Sequence, residues 1–201
     1  MTARAFYDAG YAVARMPWEI GPRAELVELV RSGTVAPCRA VDLGCGTGAN
    51  AVFLARHGFE VTGIDFSRVA LAKARRAAER AGVELRLVAD DLTAMRHRHA
   101  PFDLLVDYGS FDDITPSRRD AYVTNVVPLA APGARFLLWA FEWPRGRRDR
   151  WVRLNPLAPG EVDRRFGGAF DVERIGGTDR PDFRRLIPGH AVYLMRRRSA
   201  A

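Results

Sequence analysis

Apolar and polar residues along this chain alternate between the spacing of buried strands and the spacing of amphipathic helices. The segments 102–107 and 134–141 are apolar on both faces, which predicts central strands covered by helices on both sides. Two shorter segments, 39–43 and 59–65, also predict strands, and residues 49–57 between them predict a helix. This regular alternation of strand and helix is typical of a mainly parallel α/β sheet.

The rest of the pattern completes the predicted fold. Ser67 caps a predicted helix that ends at Gly82. Alternating residues at 83–87 predict an edge strand, and the segments 170–175 and 191–195 predict a final pair of strands. We therefore expect a doubly wound, Rossmann-like α/β fold: a seven-stranded, mostly parallel sheet with an antiparallel last strand and helices on both faces.

The first residues of the chain precede this alternation. Gly21-Pro22, followed by apolar residues between Leu26 and Val30, predicts a helix in this part. No linker or repeat interrupts the rest of the sequence. We expect residues 1–37 to form a helical extension and residues 38–201 to form a single globular domain.

Charge and composition set limits on the partners. The chain has 201 residues and a net charge of +7, but Lys73 is its only lysine, and the arginines are spread along the whole sequence. Scattered arginines are common on solvated helix faces, so we expect no nucleic-acid partner. Apolar runs are too short to cross a bilayer, and the two cysteines, Cys38 and Cys45, are too few for a disulfide framework or a thiolate metal site. We expect a cytoplasmic protein without membrane association or a bound metal.

The most informative segment is 41–48, which reads Val-Asp-Leu-Gly-Cys-Gly-Thr-Gly and leads from a strand into a helix. Its glycines allow a sharp turn and a close approach to a ligand, and free amides at the helix start would bind polar groups. Asp65 ends the next predicted strand, where its carboxylate can accept hydrogen bonds from both hydroxyls of a ribose. Together they predict a site for a nucleoside cofactor. The glycines also satisfy the dinucleotide pattern, so a nicotinamide enzyme and an empty tight turn are alternatives.

Four further motifs follow the glycine loop in order. They are Gly63-Ile64-Asp65-Phe66-Ser67, Asp90-Asp91-Leu92, the strand at 102–107, and Leu129-Ala130-Ala131-Pro132-Gly133. With Asp42, Gly44, Gly46 and Gly48 in the loop, these motifs resemble those of the class I S-adenosylmethionine-dependent methyltransferases and cover about residues 38–142. The resemblance implies an enzyme whose cofactor is S-adenosyl-L-methionine and whose product is S-adenosyl-L-homocysteine.

The resemblance also implies which residues bind the cofactor. They are Trp18, Asp42, Gly44, Cys45, Gly46, Asn50, Asp65, Phe66, Asp91, Leu92 and Asp107. In this match Asp65 holds the ribose, Phe66 covers the adenine, and Asp91 accepts a hydrogen bond from the adenine amino group, with Asp90 as the neighbouring alternative.

Aromatic segments at 6–8, 17–21 and 107–111 look like those of the thiopurine and tellurite methyltransferase-like branch of the family. In that branch an N-terminal aromatic residue folds over the donor, which implies this role for Trp18 and makes residues 1–37 a roof over the site. The chain departs from the branch at Tyr108 and Asp112, where Arg and His are common.

Methyl transfer in this family is an in-line displacement at a sulfonium, so the main task of the protein is to hold the nucleophile and the methyl carbon in line. Side chains at the carboxyl ends of the fourth and fifth strands are the candidates, with Asp107, Tyr108 and Glu142 as catalytic residues. Asp107, Asp112 or Glu142 would be the base for a hydroxyl or ammonium acceptor, whereas a thiolate needs none. The arginine-rich insert 145–153 is a lid, a clamp for an anionic substrate or a solvated loop.

We expect a small-molecule acceptor, because residues 1–37 are too few to form a separate recognition domain for nucleic acid or protein. The alternatives are an RNA or protein methyltransferase that uses the arginine-rich insert, and an S-adenosylmethionine-binding protein that does not methylate. The pattern identifies neither the acceptor atom nor the oligomeric state.

Overall fold

The computed structural model describes residues 3–13, 16, 19, 21–97, 99–144, 155–178 and 189–199. The helices in these ranges are α1 (Ala3–Val13), α2 (Ala24–Arg31), α3 (Ala49–Arg56), α4 (Arg68–Ala81), α5 (Arg119–Val126) and α6 (Glu161–Phe166). The strands are β1 (Arg39–Leu43), β2 (Glu60–Asp65), β3 (Arg86–Ala89), β4 (Phe102–Tyr108), β5 (Ala130–Phe141), β6 (Phe170–Thr178) and β7 (His190–Arg197). None of the helices in this part of the chain has the length and apolarity needed to cross a membrane.

The strands form one seven-stranded sheet in the order β3-β2-β1-β4-β5-β7-β6. Strands β1, β2 and β3 pair in parallel, as do β4 and β5. The last strand, β7, pairs antiparallel with both β5 and β6. This order confirms the predicted Rossmann-like sheet with an antiparallel last strand.

By its contacts the chain divides into two compact units, Met1–Arg98 and His99–Ala201. The first unit contains β1 to β3 with the helices α1 to α4, and its buried residues are mainly aliphatic. The second contains β4 to β7 with α5 and α6. Its core is aromatic: the Phe166 ring lies 5.3 Å from that of Phe111 and 5.8 Å from that of Phe136, both in edge-to-face geometry, which favours aromatic pairs.

Local signals placed several elements correctly. Strand β1 spans 39–43 as predicted, and α4 runs from its Ser67 cap to Gly82, because the Ser67 hydroxyl accepts the Ala70 N–H and the helix ends at a left-handed glycine.

The third strand lies at the edge of the sheet as predicted, but its predicted bounds were wrong. Alternation at 83–87 favoured a strand there, but β3 is Arg86–Ala89. The reason is that the Val83 N–H donates to the Ala78 carbonyl at 3.1 Å and so completes the end of α4. Pairing with β2 then begins at Arg86, opposite Thr62.

Candidate functional site

Asp65 lies at the carboxyl end of β2 with 6% of its surface exposed. Its Oδ2 accepts a hydrogen bond from the Gly46 N–H at 2.9 Å, and its Oδ1 accepts one from the Ser67 N–H at 2.7 Å. Burial raises the pKa of Asp65, the two N–H groups oppose this rise, and the charge of Asp8 adds to it. Each carboxylate oxygen has two lone-pair positions, so both oxygens can also accept a ribose hydroxyl. The group therefore fits the nucleoside role.

The glycine loop is held against β2 by its own amides. The N–H groups of Gly44 and Cys45 both donate to the Ile64 carbonyl, at 2.8 and 3.0 Å, and the Gly48 N–H donates to the Cys45 carbonyl at 2.9 Å. Since the Gly46 N–H binds Asp65, the main-chain N–H groups of these four residues are all satisfied within the protein. A loop that follows a parallel strand can satisfy its amides on the neighbouring strand, and it then offers a ligand its small glycine surfaces.

Helix α1 contacts this loop through a tyrosine. Tyr11 is 4% exposed, and its hydroxyl lies 3.1 Å from the position that a Cβ on Gly46 would occupy. Residue 46 also has a φ of +53°, in the left-handed region that favours glycine. A side chain at this position would therefore disturb both the backbone and the packing of α1.

Two more contacts fix α1 on the first unit. The Ser67 hydroxyl donates a 2.5 Å hydrogen bond to Asp8. The Tyr7 ring packs edge-on against Phe66 with 5.5 Å between the ring centres. Sequence reasoning expected residues 1–37 to be helical but located only the helix after Gly21-Pro22. Tyr7 and Tyr11 stand four residues apart, as two residues on one helical face do, and could have indicated α1. The prediction that residues 1–37 form a roof stays a prediction, and Trp18 lies outside the described residues.

Other predicted cofactor residues have structural partners in this unit. Asn50 is buried, and its Oδ1 accepts the Arg23 N–H at 3.1 Å, which ties α3 to the start of α2. Asp42 is 2% exposed at the end of β1. Burial raises the pKa of the Cys45 thiol, and the nearby charges of Asp42 and Asp65 raise it further. A neutral, buried thiol is suited to packing rather than to nucleophilic chemistry.

The two acidic residues after β3, Asp90 and Asp91, have different hydrogen-bond partners. Asp90 is buried and accepts N–H groups of Asp91, Arg96 and His97, and its Oδ2 also lies 2.9 Å from the His97 ring. Burial acts to raise the pKa of Asp90, but these bonds outweigh it and lower the value. Asp91 is half-buried, and one of its oxygens accepts the N–H and hydroxyl of Thr93. Asp90 therefore organises the loop, which favours Asp91 as the ligand-binding acid. Leu92 beside it is buried.

In the second unit, Asp107 is fully buried at the end of β4. Its Oδ1 accepts the N–H groups of Ser110 and Phe111 at 2.8 and 3.3 Å, and its Oδ2 accepts the Tyr122 hydroxyl at 2.5 Å. Burial raises the pKa of Asp107 to about 6 despite these three donors. The carboxyl group fixes the turn after β4 and anchors α5 to it.

Arg119, at the start of α5, holds the following loop in place. The residue is 1% exposed, and its Nη1 lies 3.0 Å from both carboxylate oxygens of Glu161. The rest of the guanidinium donates to the carbonyls of Ile114, Asp112 and Asn155. Neither this arginine nor Tyr122 was singled out from the sequence, since their partners are distant in the chain.

The remaining predicted catalytic residues lie on β4 and just after β5. Glu142 is 4% exposed, and its Oε2 accepts the Tyr193 hydroxyl at 2.6 Å. The half-buried Tyr108 stacks on Trp139 with 5.0 Å between ring centres, and Trp139 stacks on His190 at 5.3 Å. The insert 145–153 lies outside the described residues. Among the described residues, no group of three His, Cys, Asp or Glu is placed to hold a metal ion.

Comparison with known proteins identifies relatives of the whole arrangement. A family model described as a methyltransferase domain matches residues 40–133. The chain is 31% identical over 131 residues to a 2-heptyl-1-hydroxyquinolin-4(1H)-one methyltransferase of Mycobacteroides abscessus, covering 64% of this chain and 57% of that relative. It is 30% identical over 114 residues to an uncharacterized methyltransferase of Schizosaccharomyces pombe, covering 55% of this chain and 77% of that protein.

A solved structure shares the fold. It is the 1,6-didemethyltoxoflavin-N1-methyltransferase of Burkholderia thailandensis, crystallised with 1,6-didemethyltoxoflavin and S-adenosylhomocysteine. The TM-score is 0.73 at 19% identity, over 98% of this chain and 87% of that one. The chain spans less than two thirds of the length of the mycobacterial relative.

Proposed function

Because the chain belongs to the class I S-adenosylmethionine-dependent methyltransferases, we propose that it transfers the methyl group of S-adenosyl-L-methionine to a small-molecule acceptor and releases S-adenosyl-L-homocysteine. The observation that carries this proposal is the Asp65 carboxylate, buried at the end of β2 and held by the Gly46 and Ser67 N–H groups. Such a carboxylate can bind both hydroxyls of a ribose without moving.

The predicted residues divide into donor and acceptor roles in this proposal. The donor residues are Trp18, Asp42, Gly44, Cys45, Gly46, Asn50, Asp65, Phe66, Asp91, Leu92 and Asp107. When bound, S-adenosylmethionine supplies an electrophilic methyl group on a positively charged sulfur. Tyr108 and Glu142 stand on the acceptor side, and Asp107 also acts by fixing the turn that follows Tyr108. Positioning of this kind contributes about 7–11 kcal/mol to lowering the barrier of a two-reactant step.

The acceptor in this proposal is a small heteroaromatic molecule. The mycobacterial relative is named for a hydroxyquinolinone, and the solved Burkholderia structure holds 1,6-didemethyltoxoflavin. Both named compounds are fused, flat heterocycles. The stacked rings of Tyr108 and Trp139 suit a flat partner of this kind. Cys38 and Cys45 form no disulfide, which is usual for a reducing, cytoplasmic setting, and we expect neither a nucleic-acid nor a membrane partner.

The test measures donor binding by titration calorimetry. Asp65→Ala removes the two hydrogen bonds that the ribose hydroxyls would donate to the charged carboxylate, each worth about 1.5–3 kcal/mol. We therefore expect the affinity for S-adenosylmethionine and S-adenosylhomocysteine to fall at least ~100-fold. The matched control is Glu60→Ala, at the exposed opposite end of β2, which should leave the affinity unchanged. The proposal would be contradicted if Asp65→Ala bound S-adenosylmethionine as tightly as the wild type does. It would also be contradicted if the wild type bound a nicotinamide dinucleotide more tightly than S-adenosylmethionine.

A further inference from the structure

Asp112, in the turn after β4, has incomplete hydrogen bonding. The residue is 3% exposed. The Phe141 N–H binds its carboxylate, but Oδ1 is buried and has no hydrogen-bond partner among the residues that the structure describes. Leaving a buried polar atom without a partner costs about 1–3 kcal/mol, which makes such an atom a mark of function.

The other two acids that sequence reasoning offered as bases differ in this respect. Asp107 accepts three hydrogen bonds from its own unit, including the Tyr122 hydroxyl. Glu142 accepts the Tyr193 hydroxyl. Of the three acids, Asp112 is the one that has a buried oxygen without a partner in the described chain.

Gly109 leaves room beside this oxygen. Its φ of +90° lies in the left-handed region, and a Cβ built on it would lie 3.9 Å from Cζ3 of Trp139 and 4.0 Å from Oδ1 of Asp112. A Cβ at this residue would therefore be in ordinary van der Waals contact with the edge of an aromatic ring and with the carboxyl oxygen. Glycine leaves out this carbon, so no side chain of residue 109 covers Oδ1.

The surroundings of Asp112 favour a proton on its carboxyl group. Burial raises its pKa well above the ordinary carboxyl range, and the charges of Asp107 and Asp113 raise it further. From α5, the Tyr122 hydroxyl is neutral, since burial raises its pKa too. The Arg119 guanidinium binds Glu161 and, in this turn, the main-chain carbonyl of residue 112. A carboxyl group with a raised pKa is a stronger base than an exposed one.

We propose that Asp112 is the general base of the reaction and that the methyl acceptor is a hydroxyl group hydrogen-bonded to Oδ1. This inference rests on the proposed function. The acceptor oxygen bonds to the methyl carbon while the carbon–sulfur bond breaks, and the electron pair of that bond stays on sulfur. The hydroxyl proton moves to Oδ1. The sulfonium and the carboxylate are thereby both neutralised.

The test uses two acceptors of similar shape, phenol and thiophenol, because phenol is protonated at neutral pH whereas the thiol ionises readily and needs no base. Release of S-adenosylhomocysteine is measured. We expect Asp112→Asn to lower kcat for phenol about 100-fold or more, the range for general acid–base catalysis, and to change kcat for thiophenol less than ~3-fold. Asp103→Asn, exposed near the other end of β4, is the control and should keep both rates. Equal rates of wild type and Asp112→Asn with phenol, or equal losses with both acceptors, would overturn the assignment.

A binding measurement gives a readout that does not depend on turnover. With S-adenosylhomocysteine present, and at a pH high enough to ionise Asp112, Asp112→Asn should raise the Kd for phenol at least ~10-fold, the loss of one hydrogen bond to a charged group. An unchanged Kd would overturn the proposal even where the wild type methylates neither probe, and Asp112-dependent binding of benzylamine instead would assign an ammonium acceptor. Loss of S-adenosylmethionine binding by the wild type would contradict the proposed function itself.

The pH profile supplies a further check on the same proposal. A base acts in its ionised form, so kcat/KM for phenol should rise with pH through a midpoint above the ordinary carboxyl range. Asp112→Asn should remove this rise. A profile that is the same in the two proteins would exclude Asp112 as the base.

Discussion

The two units hold their buried carboxylates in different ways. In the first unit, Asp65 and Asp90 are held mainly by main-chain N–H groups from their own or adjacent loops. In the second, side chains from other elements join the main-chain donors, as with the Tyr122 hydroxyl on Asp107 and the Arg119 guanidinium on Glu161. Main-chain donors are present whatever the side chain is. The first site should therefore tolerate substitution of its donor residues, and the second should not.

The largest expected effect is that of Arg119→Met. Breaking a buried ion pair leaves Glu161 with fewer partners and costs about 3–5 kcal/mol of unfolding free energy. The measurement is a urea unfolding curve. Arg198→Met is the control, because its pair with Asp171 is exposed and contributes at most about 1 kcal/mol. If the two variants lose the same stability, the contrast between side-chain and main-chain support fails.

A second prediction concerns the pH dependence of stability. The pKa of Asp107 is raised from 3.8 to about 6 in the folded protein, so between these values the folded state binds more protons than the unfolded one. The free energy of unfolding should therefore fall by about 3 kcal/mol as the pH rises through this window, and Asp107 adds no further change above it.

The Asp107 contribution is isolated by comparison with Asp107→Asn. The variant has no titratable group at this position, so its stability should fall less steeply over the same pH range. Unfolding curves at several pH values give both slopes. Parallel slopes in the two proteins would show that Asp107 titrates normally.

The smallest effect should come from Ser67→Ala. The substitution removes the side-chain cap of α4 and the hydroxyl that binds Asp8, which together should cost about 1 kcal/mol of stability. It keeps the main-chain N–H that binds Asp65. Calorimetry should therefore find donor affinity within ~3-fold of the wild type. A loss above ~10-fold would show that the first site depends on side chains as much as the second does.

This difference also explains what the sequence could predict. The sheet, the capped helix α4 and the position of Asp65 follow from signals within a few residues of each other, such as Ser67 with Ala70. Tyr122 is 15 residues from Asp107, and Arg119 is 42 residues from Glu161. No local pattern marks such pairs, because the fold itself brings their members together.

The residues near the expected cofactor site also differ in how far the sequence could predict them. Asp65 stood out because a strand end and a glycine loop give it a recognisable setting. Tyr11 did not, since a tyrosine on a helix is ordinary in sequence and its contact with Gly46 exists only once α1 packs on α4. The boundary of β3 shifted because helix closure at Val83 took precedence over alternation.

The place of β7 between β5 and β6 has a consequence for how the protein is made. Strands β1 to β3 are complete once residue 89 has been synthesised, so the first unit can assemble early on the ribosome. Strand β5 ends at Phe141, and its edge stays unpaired until residues 190–197 of β7 have been synthesised. Such an edge invites association with other chains. Nascent chains should thus depend on chaperones most while the second unit is half made.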